Sequence, residues 1–262
     1  MKHDFERTGA EVIGTHVDAI DWADCLERIR VWAAHGESRA VVHCNVHSLV
    51  TARHEPTFAR AVHAADLVTP DGAPVAWCLR RLGFGGQERI SGPDLMWKCC
   101  ELCACERLPV FLYGGSRETL GRLRLRLSRE FPGLPLAGWH SPPFRSMSES
   151  ENTRAADAIG RSGARVVFVG LGCPKQEQWI AAQRGRISGV MLGVGAAFDF
   201  HAGVTPRAPH WMRARGLEWL HRLLQEPRRL GRRYFVTNTL FMAYLAEESL
   251  RRQRRKSRSR KS

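Results

Sequence analysis

ARVVFVGLGCPKQEQWIAAQ, residues 164–183, decides the fold. A β-branched, aromatic run ends at Gly170, a glycine- and proline-bearing turn follows, and KQEQWIAAQ has the pattern of a helix. Working outward, the same unit recurs. RAVVHCNVHSLV (39–50) reads as a strand running into a helix, and AADLVTPDG (64–72) as a short strand ending in a turn. PVFLYGGS (109–116) is a buried strand with a Gly-Gly turn before the helical RETLGRLRLRLSREF. LPLAGWHSPPF (134–144) is a strand that leaves into a proline-rich loop, and GVMLGVGAAFDFHAG (189–203) is an apolar strand followed by a loop. Strands alternating with helices predict an α/β fold, a parallel sheet covered on both faces. Ligands of such sheets sit beyond the carboxyl ends of the strands. Those ends carry distinctive residues: His43 to His47, Asp71-Gly72, Gly114-Gly115-Ser116, Gly170 to Gln176, and Gly193 to Asp199. GGS and GLGCPK read as backbone cradles for a diphosphate at helix N-termini. Neither G-x-G-x-x-G opening a helix nor G-x-x-x-x-G-K-[ST] is present, which leaves dinucleotide and P-loop chemistry without support.

Length and composition set the outer bounds. The chain has 262 residues, 44% hydrophobic and 25% charged. That is enough for one large domain or two small ones with a proper core. No apolar run reaches the ~18–20 residues of a spanning helix. MKHDFERTGAEVIG has mixed charge and no apolar stretch, so it does not read as a signal peptide, and a cytoplasmic location is expected. Eight cysteines in a chain of that location predict free thiols rather than disulfides. WKCCELCACE crowds four of them into one helical pattern with no second knuckle, which reads as core packing rather than a metal site.

The net charge of +14 is uneven. Residues 207–262 hold sixteen Lys and Arg against four acids, a net +12, and residues 1–206 are left near neutrality at +2. A basic appendage of this kind seeks an anionic partner: a lipid surface, a nucleic acid or a phosphorylated ligand. Leu217, Leu220, Leu223 and Leu224 form one apolar stripe, Pro227 breaks that helix, and RRYFVTNTLFMAYLAEESL forms another. The second helix is too short in apolar residues to cross a bilayer and is suited to lying on one. The last twelve residues carry eight positive charges and no acid, which predicts a disordered tail. The expected division is 1–203 as the catalytic core, 204–250 as a helical membrane-binding appendage and 251–262 as the basic tail.

Three stretches resemble one family. They are ADLVTPDGAPVAW with RISGPDL (65–77 and 89–95), FVGLGCPKQEQWI (168–180), and GVGAAFDFHAGVTPRAPHWMRARGLEWLHRLLQEPRRLGRRY (193–234). In this order they are similar to the WecG/TagA/CpsF glycosyltransferases, glycosyltransferase family 26, over roughly residues 10–245. The resemblance implies a Rossmann-like core with a membrane-binding appendage. It implies inverting transfer of a sugar, commonly N-acetylmannosamine, from a UDP-sugar donor to a polyprenyl-diphosphate-linked sugar acceptor. The place would be the inner face of the bacterial plasma membrane, in surface polysaccharide synthesis. UDP-glucose-dependent transfer in exopolysaccharide assembly is the alternative within the family.

Single displacement needs one base near the acceptor hydroxyl and donors or positive charge at the diphosphate. The resemblance puts Asp71 in the place of the base; from the residues alone it also reads as an Asx-turn residue before glycine. Arg89, eighteen residues on, matches an arginine suited to a phosphate or sugar hydroxyl, and otherwise pairs with Glu88 or Asp94. Gln176 matches a glutamine expected on donor or acceptor. Lys175 adds charge near phosphate or is simply solvated. Asn45 lies in the family's substrate-contacting segment. His43 stands where relatives often carry threonine, a departure that leaves a hydrogen-bonding role or a core histidine open. Gly114, Gly115 and Gly172 supply the turns, and Asp199 binds a ribose or sugar hydroxyl or caps a turn. Of the appendage arginines, Arg213, Arg222 and Arg229 are expected to reach a diphosphate, with solvated or lipid-facing roles as the alternative. No D-x-D motif is present, so no metal or other cofactor is expected. A nucleic-acid-binding protein is the rival class; it lacks interleaved aromatics and any reader motif, so no nucleic acid partner is expected. The sequence admits a homo-oligomer and does not specify one.

Overall fold

The computed structural model describes residues 3–259, without the side chains of Ala214, Arg229 and residues 252–259. In chain order the elements are β1 (Gly9–Val12), β2 (Thr15–Asp18), α1 (Trp22–Ala34), β3 (Arg39–Cys44), α2 (Val46–His54), α3 (Pro56–His63), β4 (Leu67–Pro70), α4 (Ala73–Arg81), α5 (Gly92–Cys105) and β5 (Val110–Gly114). They continue with α6 (Arg117–Glu130), β6 (Leu136–His140), α7 (Glu149–Arg161), β7 (Val166–Gly170), α8 (Lys175–Gln183), β8 (Val190–Gly193), α9 (Ala197–His201), α10 (His210–Ala214), α11 (Glu218–Gln225) and α12 (Pro227–Ser259).

All six strands expected from the sequence pair into one sheet in the order β4-β3-β8-β7-β5-β6. Every pairing in it is parallel. The four central strands β3, β8, β7 and β5 are buried along almost their whole length. Continuous apolar runs such as VVFV are what a strand covered on both faces requires. Two clusters cover the two faces. One gathers Leu49, Phe58, Val169, Trp179 and Ile180, and the other Ile29, Trp32, Leu95, Phe168 and Phe198. Several helices start where a short polar side chain accepts a first-turn N–H: Asp21 at α1, Asn45 at α2, Ser91 at α5, Ser116 at α6 and Ser148 at α7.

The antiparallel hairpin β1–β2 was not expected from the sequence. Its two-residue turn, Ile13-Gly14, holds both φ angles positive, at 46° and 85°. A β-branched residue there is unusual. Ile13 is buried, and its N–H donates to the Glu248 carboxylate of α12 at 3.1 Å. The hairpin shields the edge strand β4, since the Asp18 carboxylate accepts the Val68 N–H at 2.6 Å and pairs with Arg7.

Cys99, Cys100 and Cys103 are buried in α5 and Cys105 is exposed. Burial pushes the three inner thiols up, so they stay neutral and pack as small apolar groups, as expected.

The appendage lies across the core. Phe241 of α12 is buried in the cluster that contains Leu49 of α2, with Leu240, Tyr244 and Leu245 against it. The Tyr244 hydroxyl meets His54 Nε2 at 2.9 Å, Arg53 stacks on the Tyr244 ring at 4.2 Å, and Arg53 pairs with Glu247 at 2.9 Å. Pro227 does end α11, and it also starts α12. The α12 backbone runs on to Ser259 through the boundary expected at 250. The tail's side chains beyond Arg251 lie outside the described residues. Among the described residues no helix is long and apolar enough to cross a membrane.

Candidate active site

A cleft of about 1580 Å³ opens at the carboxyl ends of β3, β4, β8, β7 and β5, roofed by α11 and α12. Asp71 follows β4, and its N–H donates to the Cys44 carbonyl at 2.9 Å, which ties the ends of β4 and β3 together. Gly72 then turns with φ at +93°, a conformation L side chains rarely adopt, and this aims the Asp71 carboxyl into the cleft. Asn45 caps α2: its Oδ1 accepts the Ser48 N–H at 3.1 Å. The cap fixes the amide, and the remaining Nδ2 faces Asp71 Oδ2 at 3.5 Å.

Burial pushes the Asp71 carboxyl above the ordinary aspartate range. Arg89 pulls it back, Glu218 pushes it further up, and Asn45 and Arg222 pull it down. A raised carboxyl under nearby guanidinium groups can hold a proton taken from a neutral hydroxyl. Two of these charges, Glu218 and Arg222, belong to α11. The appendage therefore completes the electrostatics around Asp71.

Arg89 takes both partners that matter. It donates to Glu218 at 2.8 Å and to Asp94 at 3.4 Å, the second being the ion pair named as an alternative from sequence. Arg207 joins the same group, bidentate to Asp94 at 2.8 Å on each oxygen and at 3.1 Å to Glu218. Arg213, expected at a diphosphate, instead points to Asp94 at 3.4 Å and is not part of the cleft wall. These contacts fasten the appendage to the start of α5. Arg222 does line the cleft, its guanidinium 5.5 Å from the Phe200 ring centre. The Arg229 side chain lies outside the described residues.

The glycine turns differ from the cradle expected of them. Gly115 N–H donates to the Gly170 carbonyl at 3.1 Å, and Gly172 N–H to Gln176 Oε1 at 3.2 Å, so neither is free for a phosphate. Gly114 lies outside the cleft wall. It sits opposite Gly170 in register, where an added Cβ would lie 2.5 Å from the Gly170 carbonyl oxygen. Its role is close approach of β5 and β7. Gln176 is buried and braces the site: Nε2 donates to Glu177 Oε1 at 2.9 Å and to the Gly193 carbonyl at 3.0 Å. Lys175 reaches over the rim to the Phe144 carbonyl at 3.4 Å. Asp199 lines the cleft and accepts from the Thr119 hydroxyl at 3.2 Å. His43 is buried against Thr69, Nδ1 to Oγ1 at 2.5 Å, and burial holds it down at about 4, so its ring is neutral. Its Nε2 has no partner among the described residues.

Three further cleft residues, Glu177, Arg233 and Glu218, are not singled out by the sequence, whereas His47 closes the strand end already named. Glu177 stands beside Gln176 in PKQE, and Arg233 in the GRRY stretch already quoted. Adjacency was the only available signal, because which of two neighbouring polar residues faces inward is set by packing.

A sequence model of the glycosyl transferase WecG/TagA/CpsF family matches residues 10–255. The chain belongs to this family. It is 32% identical over 182 residues, 69% of each chain, to the N-acetylglucosaminyldiphosphoundecaprenol N-acetyl-beta-D-mannosaminyltransferase of Bacillus spizizenii. To the Staphylococcus aureus (strain MW2) protein of the same name it is 27% identical over 225 residues, 85% of this chain and 87% of the other. The family match spans the core and the appendage alike, which agrees with a cleft walled by both.

Proposed function

We propose that this glycosyltransferase moves N-acetylmannosamine from a UDP-sugar to N-acetylglucosamine carried on a polyprenyl diphosphate, with inversion. The observation that carries this reading is the Asp71 carboxyl, raised by burial and set among Arg89, Arg222 and Glu218 at the end of β4. The names of the relatives supply the sugars. In the proposed step the acceptor hydroxyl gives its proton to Asp71 as its oxygen bonds to the anomeric carbon. The bond from that carbon to the β-phosphate oxygen breaks on the opposite face, and UDP leaves with the electron pair. Arg222 and the Lys175 ammonium at the rim are the groups placed to meet the leaving charge.

The same proposal places the protein on the cytoplasmic face of a membrane, where nucleotide sugars and lipid acceptors meet. Trp211, Trp219, Leu224, Phe235 and Met242 are exposed on α10 to α12, Phe235 at 76%. Arginines interleave with them, and each basic residue near an anionic leaflet is worth about 1 kcal/mol. The test is incubation with a panel of UDP-sugars and a synthetic polyprenyl-diphosphate N-acetylglucosamine, with product mass as readout. One added N-acetylhexosamine with UDP release is expected, strongest with the N-acetylmannosamine donor. A product heavier by one hexose would move the reading to glucosyl transfer, and no product with any donor would overturn it.

A further inference from the structure

Three side chains on three elements line the same cleft as Asp71, each with a buried polar atom that has no partner among the described residues. They are His47 Nδ1 in the first turn of α2, Glu177 Oε2 in the first turn of α8, and Arg233 Nε in α12. Glu177 is 2% exposed; its other oxygen is held by Gln176 at 2.9 Å. The three share one neighbourhood. Arg233 acts on the His47 ring, and Glu177 and Arg233 both act on the Cys173 thiol. Glu177 and Asp71 both act on Cys44, whose carbonyl accepts the Asp71 N–H at 2.9 Å. Buried polar atoms without partners are costly, and a cluster of them lining one wall marks the place of an absent polar group.

The chemistry of the set selects that group. A phosphate would satisfy Arg233 and would be repelled by Glu177 whenever that carboxyl is ionised. An alkyl chain would leave all three atoms unsatisfied. A hydroxyl both donates and accepts, so a hydroxyl-bearing ring can donate to Glu177 Oε2 and accept from Arg233 Nε–H. Beyond the polar atoms the cleft wall along α12 turns apolar at Phe241, Met242 and Leu245. A sugar attached to a hydrocarbon chain presents those two surfaces in the same sequence.

We infer that His47, Glu177 and Arg233 form the seat of the acceptor's sugar ring and present its hydroxyl to Asp71. This rests on the glycosyl-transfer reading above. Asp71, on this assignment, serves the reacting hydroxyl, and the three residues serve the others.

The test is steady-state kinetics of the full chain with UDP-N-acetylmannosamine and a short-chain polyprenyl-diphosphate N-acetylglucosamine, beside calorimetric titration with UDP. Glu177→Gln and Arg233→Gln are each expected to raise the acceptor KM about tenfold and to leave the UDP Kd within about twofold. An acceptor KM that stays within about twofold in both variants would mean that only water fills this corner, and would overturn the assignment. UDP binding that weakens in step with the acceptor KM would overturn it too, giving the corner to the donor or to the fold. Should Glu177→Gln fail to fold, Arg233→Gln on the partly exposed α12 decides by the same split. A wild-type chain that binds no UDP and transfers no sugar removes the functional reading, and the seat with it.

Discussion

Asp71 and Glu177 are two carboxyls raised by the same cause, burial, and put to different uses. For Asp71 the consequence is kinetic. As the base it must be ionised, so kcat/KM should fall in acid with an inflection above the 3.8 of a free aspartate. Asp71→Asn removes the base and keeps the shape; kcat should drop about 100-fold to 10,000-fold, measured by UDP release with lipid acceptor. Turnover at the wild-type rate would show that the base is elsewhere. For Glu177 the consequence is also thermodynamic. Its carboxyl is pushed from 4.5 to about 7. A carboxyl raised on folding contributes stability that is whole below 4.5 and is lost as pH rises through about 7. His43 and His201, both held down at about 4 by burial, act in the other direction and lose theirs as pH falls below 6.5. Comparison with Glu177→Gln isolates the carboxyl. The wild-type stability minus that of the variant should fall by about 3 kcal/mol between pH 4.5 and pH 8, read by urea denaturation. A difference that does not change with pH would contradict the burial of that group. At this scale the sequence was informative where a residue ends a strand. Asp71 and Asn45 could be placed because both follow strands directly. The sequence does not show which way Arg213 faces, because it sits in a five-residue helix whose facing depends on the contact it makes with Asp94.

Among the elements, the six sheet strands were legible because buried parallel strands must be continuous apolar runs between turn residues. The hairpin β1–β2 was not. Its turn lacks the Asn-Gly or Asp-Gly that signals such turns, and Ile13 holds a positive φ supported by burial and by Glu248, 235 residues away. Helices α9 and α10 have five residues each, too few to show a period. The GGS and GLGCPK turns carry the glycine signal of a phosphate cradle, yet the Gly115 N–H goes to Gly170 and the Gly172 N–H to Gln176. Glycine answers strand proximity at Gly114 and the close approach of the Phe198 ring at Gly170. The docking of α12 on α2 makes its own prediction. Phe241 is buried at that contact, so Phe241→Ala should cost about 3 kcal/mol in chemical denaturation. A cost below about 1 kcal/mol would mean that α12 is not anchored to the core.

For the whole molecule, the uneven charge predicts a basic appendage that seeks an anionic partner, and the family match runs through that stretch to residue 255. Charge counting could not assign individual arginines. In the structure Arg207 and Arg213 are spent on Asp94 of the core, whereas Arg222 and Arg233 stand on the cleft wall. Glu218, one of only four acids in that region, is what makes the division work, since it joins Arg89 of the core to Arg207 of the appendage. The central claim is that core and appendage together enclose one nucleotide-sugar site at the end of β4. A crystal structure with UDP bound tests it most directly. The diphosphate is predicted inside the cleft, beside Arg222 and facing Asp71. UDP lodged away from Asp71, or in a cleft from which α11 has withdrawn, would contradict it.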